Sequence, residues 1–195
     1  LVEIDRRTVI HSLRVSHLTP ALFGPSGGVF GGAERYTFEL ARHMARRVPT
    51  RLVTFGDQPR SFTTPENLRV VVLGPMWRVR GQEFNRFHPR LIRELAVADV
   101  IHCHQTRMFA SGFSALIGRL TGKRVFASDL GGGGWDFSSY VNTDGWFRGH
   151  LHISEYSRKQ SGHEHSGRAG VILGVVDTER FSPDPAVPKG PLVVF

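Results

Sequence analysis

FGPSGGVFGGAERYTFELARHMARR, residues 23–47, places five glycines within nine positions and then changes abruptly into a helical pattern. Ala33, Tyr36, Leu40, Ala41, Met44 and Val48 recur at three- and four-residue intervals, while Glu34, Arg35, Glu39, Arg42 and Arg46 fall on the other face. An amphipathic helix is therefore expected to start where the glycines end. Upstream, TVIHSLRVSHL from Thr8 reads as a strand. Strand, bare turn and helix make the first unit of a parallel α/β sheet, and the turn lies where such sheets bind ligands. Helix-start N–H groups lack partners and the macrodipole is positive there, so an anion is welcome if the backbone can approach it. Glycine permits that approach.

Two common phosphate fingerprints are absent from the loop. No G-x-G-x-x-G can be read from Gly24, Gly27, Gly28, Gly31 and Gly32, and Ala33-Glu34 stands where a P-loop spaced from Gly27 needs Lys-Ser/Thr. A dinucleotide dehydrogenase and a P-loop NTPase both lose ground. Taken by itself, the loop can equally be a turn whose glycines serve only its conformation.

The rest of the chain repeats the alternation. RLVTF from Arg51, LRVVVL from Leu68, DVIHCH from Asp99, KRVFAS from Lys123, LHIS from Leu151 and AGVIL from Ala169 read as strands, several of them apolar on consecutive residues as in strands covered on both faces. Helices are expected near Pro89 to Ala98, near Ala110 to Leu120, and from Glu155 to about Glu164 with Ser154 as N-cap. The fold class is α/β: a Rossmann-like, mostly parallel sheet with helices on both faces. Residues 1–180 form this domain. Residues 181–190, FSPDPAVPKG, read as a proline-rich interdomain linker, and residues 191–195 as the truncated first strand of a further domain.

Composition narrows the classes. With 40% hydrophobic and 22% charged residues in 195, the chain is globular, and no apolar run approaches the roughly twenty residues that cross a bilayer. The single cysteine, Cys103, lies in an apolar run and forms no internal disulfide, which favours a reducing, cytoplasmic setting. A net charge of +8 favours anionic partners without choosing among phosphorylated substrates, acidic lipid and nucleic acid.

GGAERYTFELARHMA, ADVIHCHQ, LHISEYSRKQSG and VILGVVDTERFSPDP, in this order and at these separations, resemble the N-terminal domain of the retaining GT-B glycosyltransferases of family four, from about Val9 to Pro185. The resemblance implies one half of a GT-B fold, in which two Rossmann-like domains face each other across a cleft. It implies an acceptor-side domain here and a donor-binding domain beyond it, with a nucleotide-diphosphosugar as donor substrate and no required cofactor. The reaction implied is transfer of the sugar with retention to a glycan, lipid-linked or small-molecule acceptor, the fragment alone being inactive. Gly31 and Gly32 match the glycine pair whose backbone approaches the donor diphosphate. Asp129 stands at or next to the place where many members carry a histidine near the transferred sugar. A carboxylate does not imitate a histidine donor at neutral pH unless protonated, so Asp129 is read at the catalytic position as an acceptor of sugar hydroxyls. His104 and Gln105, at a strand's carboxyl end, are placed near the acceptor, together with Asn85 and Arg86.

Other features allow more than one reading. Gly131–Gly134 followed by Trp135 and Asp136 makes a second glycine-rich loop, in which an exposed aromatic could stack on a sugar and a carboxylate bind hydroxyls; otherwise it is a plain surface loop. His102 and His104 share a strand face, but no third ligand accompanies them in the sequence, and His163–His165 are expected to end a helix, where the dipole suits them. No metal is expected. The segment from Met76 interleaves Trp77, Phe84 and Phe87 with Arg78, Arg80, Arg86, Arg90 and Arg93. It reads foremost as a helix with aromatics inward, and otherwise as a peripheral contact with an anionic membrane at its inner face. The competing classes are a non-catalytic phosphate- or glycan-binding module and, on charge only, a nucleic-acid-binding domain; no nucleic-acid motif supports the latter.

Overall fold

The computed structural model describes residues 13–24, 28–29, 31–131, 133–174 and 182. In chain order its elements are β1 (Val15–Leu18), α1 (Gly32–Ala45), β2 (Thr50–Phe55), β3 (Arg60–Thr63), β4 (Arg69–Leu73), β5 (Trp77–Arg78), β6 (Arg86–Phe87), α2 (Leu91–Ala96), β7 (Val100–His104), α3 (Phe109–Leu120), β8 (Arg124–Asp129), β9 (Gly149–His152), α4 (Glu155–Gln160) and β10 (Ala169–Val171). Eight strands form one sheet in the order β10-β9-β8-β7-β1-β2-β4-β3, and only the β3–β4 pair is antiparallel. The Rossmann-like α/β class read from the sequence is the class observed.

Two cores flank the sheet because successive strand residues point to opposite faces. On one face Leu52, Leu68 and Val70 pack with Leu22 and with Phe38, Ala41 and Ala45 of α1. On the other, Leu18, Val53, Ile101, Cys103, Val125 and Ala127 meet Leu91 and Leu95 of α2 and Ala110 and Ala115 of α3. Right-handed crossovers produce this split: β1 to β2 runs one way across the sheet, β7 to β10 the other. Each fully buried Leu contributes roughly 1.5–3 kcal/mol by leaving water. Small residues let α3 lie close: a Cβ on Gly118 would sit 2.2 Å from Val125 Cγ2.

The structure corrects several expectations. The segment from Met76 is no helix but the two-stranded β5–β6 pair around a 3-10 turn at Val79–Gly81, with Arg80 at φ 52°. Its helix begins only at Leu91. α4 stops at Gln160 rather than near Glu164, because Gly162 takes φ +73° and the chain folds back, so His163 follows the helix instead of ending it. β3, whose four residues are all exposed, was not foreseen. The upstream part of the first strand, Thr8–Ser12, lies outside the described residues, as do the end of the 1–180 domain, the linker apart from Ser182, and residues 191–195.

Candidate functional site

The sheet's crossovers reverse direction between β1 and β7, which opens a crevice at their carboxyl ends. The described part of the glycine loop, residues 23–24, 28–29 and 31–32, leads from β1 into α1 at this edge. It is anchored by fully buried Leu22 and by a bridge between Phe23 and Val29, with Gly24 N–H donating to Gly28 C=O at 2.9 Å. Gly31 is the N-cap of α1 at φ 58°, ψ 175°, a conformation suited to glycine alone, and no side chain caps the helix. The Glu34 carboxylate folds back beside Gly31, so a Cβ there would lie 2.5 Å from its Oε2. Burial pushes the Glu34 carboxyl above its usual range, while its own backbone N–H draws it down. Gly32 differs: it is exposed, and a Cβ would meet nothing within 4 Å. The helix start therefore presents the exposed backbone of Gly32 and a positive dipole end, beside which the Glu34 carboxyl already lies.

Gln105, the first residue after β7, stands at the same carboxyl edge, past the end of the strand next to β1. Its φ of +103° is strained for a residue with a side chain, and the strain is held by Gln105 N–H donating to Ser128 C=O and Ser111 Oγ donating to Gln105 C=O. Its side-chain oxygen is buried without a hydrogen-bond partner among the described residues. Farther along the same edge, beyond β8 and β9, lies a cavity of about 720 Å³ lined in part by Arg107, Asp136, Asn142, Asp144, His150 and His163. A second, of about 520 Å³, lies beyond β2 and β4 and is lined in part by Phe23, Arg60, Arg78 and Arg86.

The family model described as Glycosyltransferase Family 4 matches residues 30–129, just over half of the chain. The chain belongs to glycosyltransferase family 4. No curated protein matches it. Among solved structures it is similar to HepE of Anabaena, in complex with UDP and glucose (TM-score 0.52) and in complex with UDP (TM-score 0.54); both are 13% identical to it. In each case the likeness, which is one of fold, covers 89% of this chain and 47% of HepE, so the chain spans about half the length of that protein.

Within this family 4 domain the residues singled out from the sequence fall into different settings. Gly31, Gly32 and Gln105 flank the crevice. Asp129 ends β8 at the same edge, its Oδ2 accepting from Ser157 Oγ at 2.7 Å and its Oδ1 from Gly131 N–H at 3.2 Å. His104 is fully buried below the crevice, its Nε2 2.8 Å from His17 Nδ1. Asn85 is also buried and braces three segments: its amide donates to Gln82 Oε1 and to Trp135 C=O, and accepts from Phe109 N–H. Arg86 pairs with Glu83 at 3.1 Å beside the smaller cavity. The exposed aromatic expected at Trp135 is instead half-buried, because its ring stacks on Phe109 and carries the Arg80 guanidinium 4.3 Å above it. Asp136, buried as well, caps the 3-10 turn at Phe137–Ser139 by accepting from Ser138 N–H.

Two histidine clusters were not read from the sequence. On the α1 face His17 joins His102 and His104, supplying the third ring that the strand pair lacked. Burial pushes all three below the usual imidazole range, His102 to about 4, so they are neutral at pH 7. His102 Nε2 lies 2.7 Å from Ser128 Oγ. On the α3 face, beside the larger cavity, Asp144, His150 and His163 gather with His152 behind them. Burial first, and the His163 charge second, hold His150 at about 4. The signal for this cluster was present as His150-x-His152 in β9, the same spacing as His102-x-His104. Cys103 is inert: burial pushes its thiol up to about 12.

No helix among the described residues is long and apolar enough to cross a membrane.

Proposed function

We propose that this chain is the N-terminal, acceptor-side half of a two-domain glycosyltransferase. It transfers a sugar, with retention, from a nucleotide-diphosphosugar to a hydroxyl of a glycan, lipid-linked or small-molecule acceptor. The observation that carries the proposal is the glycine pair Gly31–Gly32 opening α1, uncapped, at the switch-point crevice of a family 4 domain. In the reaction the bond from the sugar's anomeric carbon to the donor's β-phosphate oxygen breaks, the acceptor oxygen bonds to that carbon, and the hydroxyl proton is released. Negative charge grows on the departing diphosphate. The positive end of α1 offers backbone N–H groups to that charge, and preorganised donors of this kind are worth about 10²–10³ in rate each. The scheme calls on no resident cofactor.

The donor's nucleoside is proposed to lie on a second domain facing the crevice. Coverage of only 47% of HepE, whose structures hold UDP, supports this division. Residues 1–195 alone are accordingly expected not to turn over.

The test is release of nucleoside diphosphate from UDP-, GDP- and ADP-sugars by the intact protein, with and without a panel of glycan and lipid-linked acceptors. Acceptor-dependent release from one donor class is expected. Saturable binding of donors or glycans with no release from any would support the non-catalytic binding module instead.

A further inference from the structure

We infer that Asp144, His150 and His163 form a binding site for a divalent transition-metal ion of the zinc class, open to the larger cavity. This inference does not rest on the glycosyltransferase reading, and all three residues lie outside the 30–129 stretch matched by the family model. One donor atom from each lies within 4.8 Å of the others. His163 Nε2 and Asp144 Oδ2 are 3.4 Å apart. Two donors bound 2.0–2.1 Å from one tetrahedral ion stand about 3.3 Å apart. Two imidazoles and one carboxylate suit zinc and its neighbours, and three protein ligands leave one position open.

A chain of polar contacts leads to the same place. Ser157 Oγ donates to Asp129 Oδ2 at 2.7 Å and lies 3.3 Å from His152 Nδ1, and His152 Nε2 lies 3.0 Å from His163 Nδ1. His163 Nδ1 is thereby engaged, and its Nε2 is turned towards the Asp144 carboxylate. The relay from Asp129 through Ser157 and His152 is the kind of outer hydrogen-bond chain that orients a metal-bound histidine.

His150 adds an independent sign. Both of its ring nitrogens are buried without a hydrogen-bond partner among the described residues, as is His163 Nε2. Buried polar atoms are rarely left so. The site is reachable, because the Asp144 side chain is 53% exposed and the cavity borders all three residues. The rival cluster of His17, His102 and His104 also leaves one buried nitrogen, His104 Nδ1, without a partner among the described residues, but it lacks the open access and the carboxylate. Its rings are fully enclosed, two already bond each other, and it holds no carboxylate to offset a double positive charge. The proposed ion stands three strands from β1, roughly 14 Å along the edge, so it is separate from the glycine pair.

The intact protein, free of any histidine tag and stripped with a chelator, is titrated with Zn²⁺ by calorimetry and with Co²⁺ by visible absorption. One equivalent is expected, with the strong d–d bands of a low-coordinate nitrogen–oxygen site and no thiolate charge-transfer band. Asp144→Asn, isosteric and exposed, should weaken binding at least tenfold without changing the metal-free melting temperature. Ser157→Ala, which breaks the relay, should weaken it about tenfold. No saturable binding of either ion would overturn the assignment. So would undiminished binding in both Asp144→Asn and His163→Gln, which would place the metal on the other cluster.

Discussion

The fully enclosed histidines of β1 and β7 set a pH dependence that can be worked out residue by residue. His102 is held at about 4 in the fold by burial, against about 6.5 for a free imidazole. Between those values the unfolded chain binds more protons than the folded one, so stability rises with pH through the window and is lost as pH falls from 6.5 towards 4. For His102 the loss at pH 5 is on the order of 2 kcal/mol. His17 and His104, shifted in the same direction, add to it. Urea midpoints are therefore expected to fall steeply between pH 7 and pH 5, and His102→Gln should reduce that slope; an invariant midpoint would contradict the burial of neutral rings. The sequence showed His102 and His104 on one strand face. It did not show His17 joining them, because period-two alternation assigns a face but not the neighbouring strand. The same gap hid the contact of His163 with β9. The place of Gly31 and Gly32 at the start of α1, by contrast, was legible, since a helix start depends on chain neighbours alone.

At the level of elements, legibility followed burial. The strands β1, β2, β4, β7 and β8 were marked by apolar runs because two cores cover them, whereas β10 was marked by AGVIL although its residues are partly or fully exposed. β3 gave no such mark: Arg60, Ser61, Phe62 and Thr63 are all exposed and are held by their ladder with β4. The β5–β6 pair was hidden by its two-residue strands and a chance helical spacing of aromatics. Packing of α3 on β8 depends on Gly118, where a Cβ would meet Val125 Cγ2 at 2.2 Å. Gly118→Ala gains up to about 1 kcal/mol in helix propensity. The forced separation from the sheet outweighs it, so a net loss of about 1–2 kcal/mol is expected in thermal or urea denaturation. Combining it with Val125→Ala should cost less than the sum of the two single changes, since the second removes the clashing methyls. Strict additivity would show that the helix does not press on Val125.

On the scale of the whole molecule, the parallel sheet whose crossovers diverge between β1 and β7 creates the crevice, and the proposed function puts an anion site at its glycine loop. The sequence showed the alternation and the loop. The strand order, and hence the crevice itself, came from long-range pairing that no local pattern encodes. Trp135, Asn85 and Asp136 were expected at the acceptor; in the fold they also knit the loop after β8 to the β5–β6 pair and to α3, as the bonds of Asn85 to Trp135 and Phe109 illustrate.

The claim that the start of α1 seats a diphosphate is tested most directly at Gly32, where folding and function separate. A Cβ there meets nothing within 4 Å among the described residues, so Gly32→Val should leave the melting temperature within a degree or two of the wild type. The added methyls would nevertheless hold a diphosphate away from the backbone N–H groups. The measurement is kcat/KM for the nucleotide-diphosphosugar with the intact protein, wild type against Gly32→Val. A fall of tenfold or more, about 1.4 kcal/mol of transition-state stabilisation, is predicted at unchanged stability; a variant that folds normally and turns over donor as fast as the wild type would contradict the account.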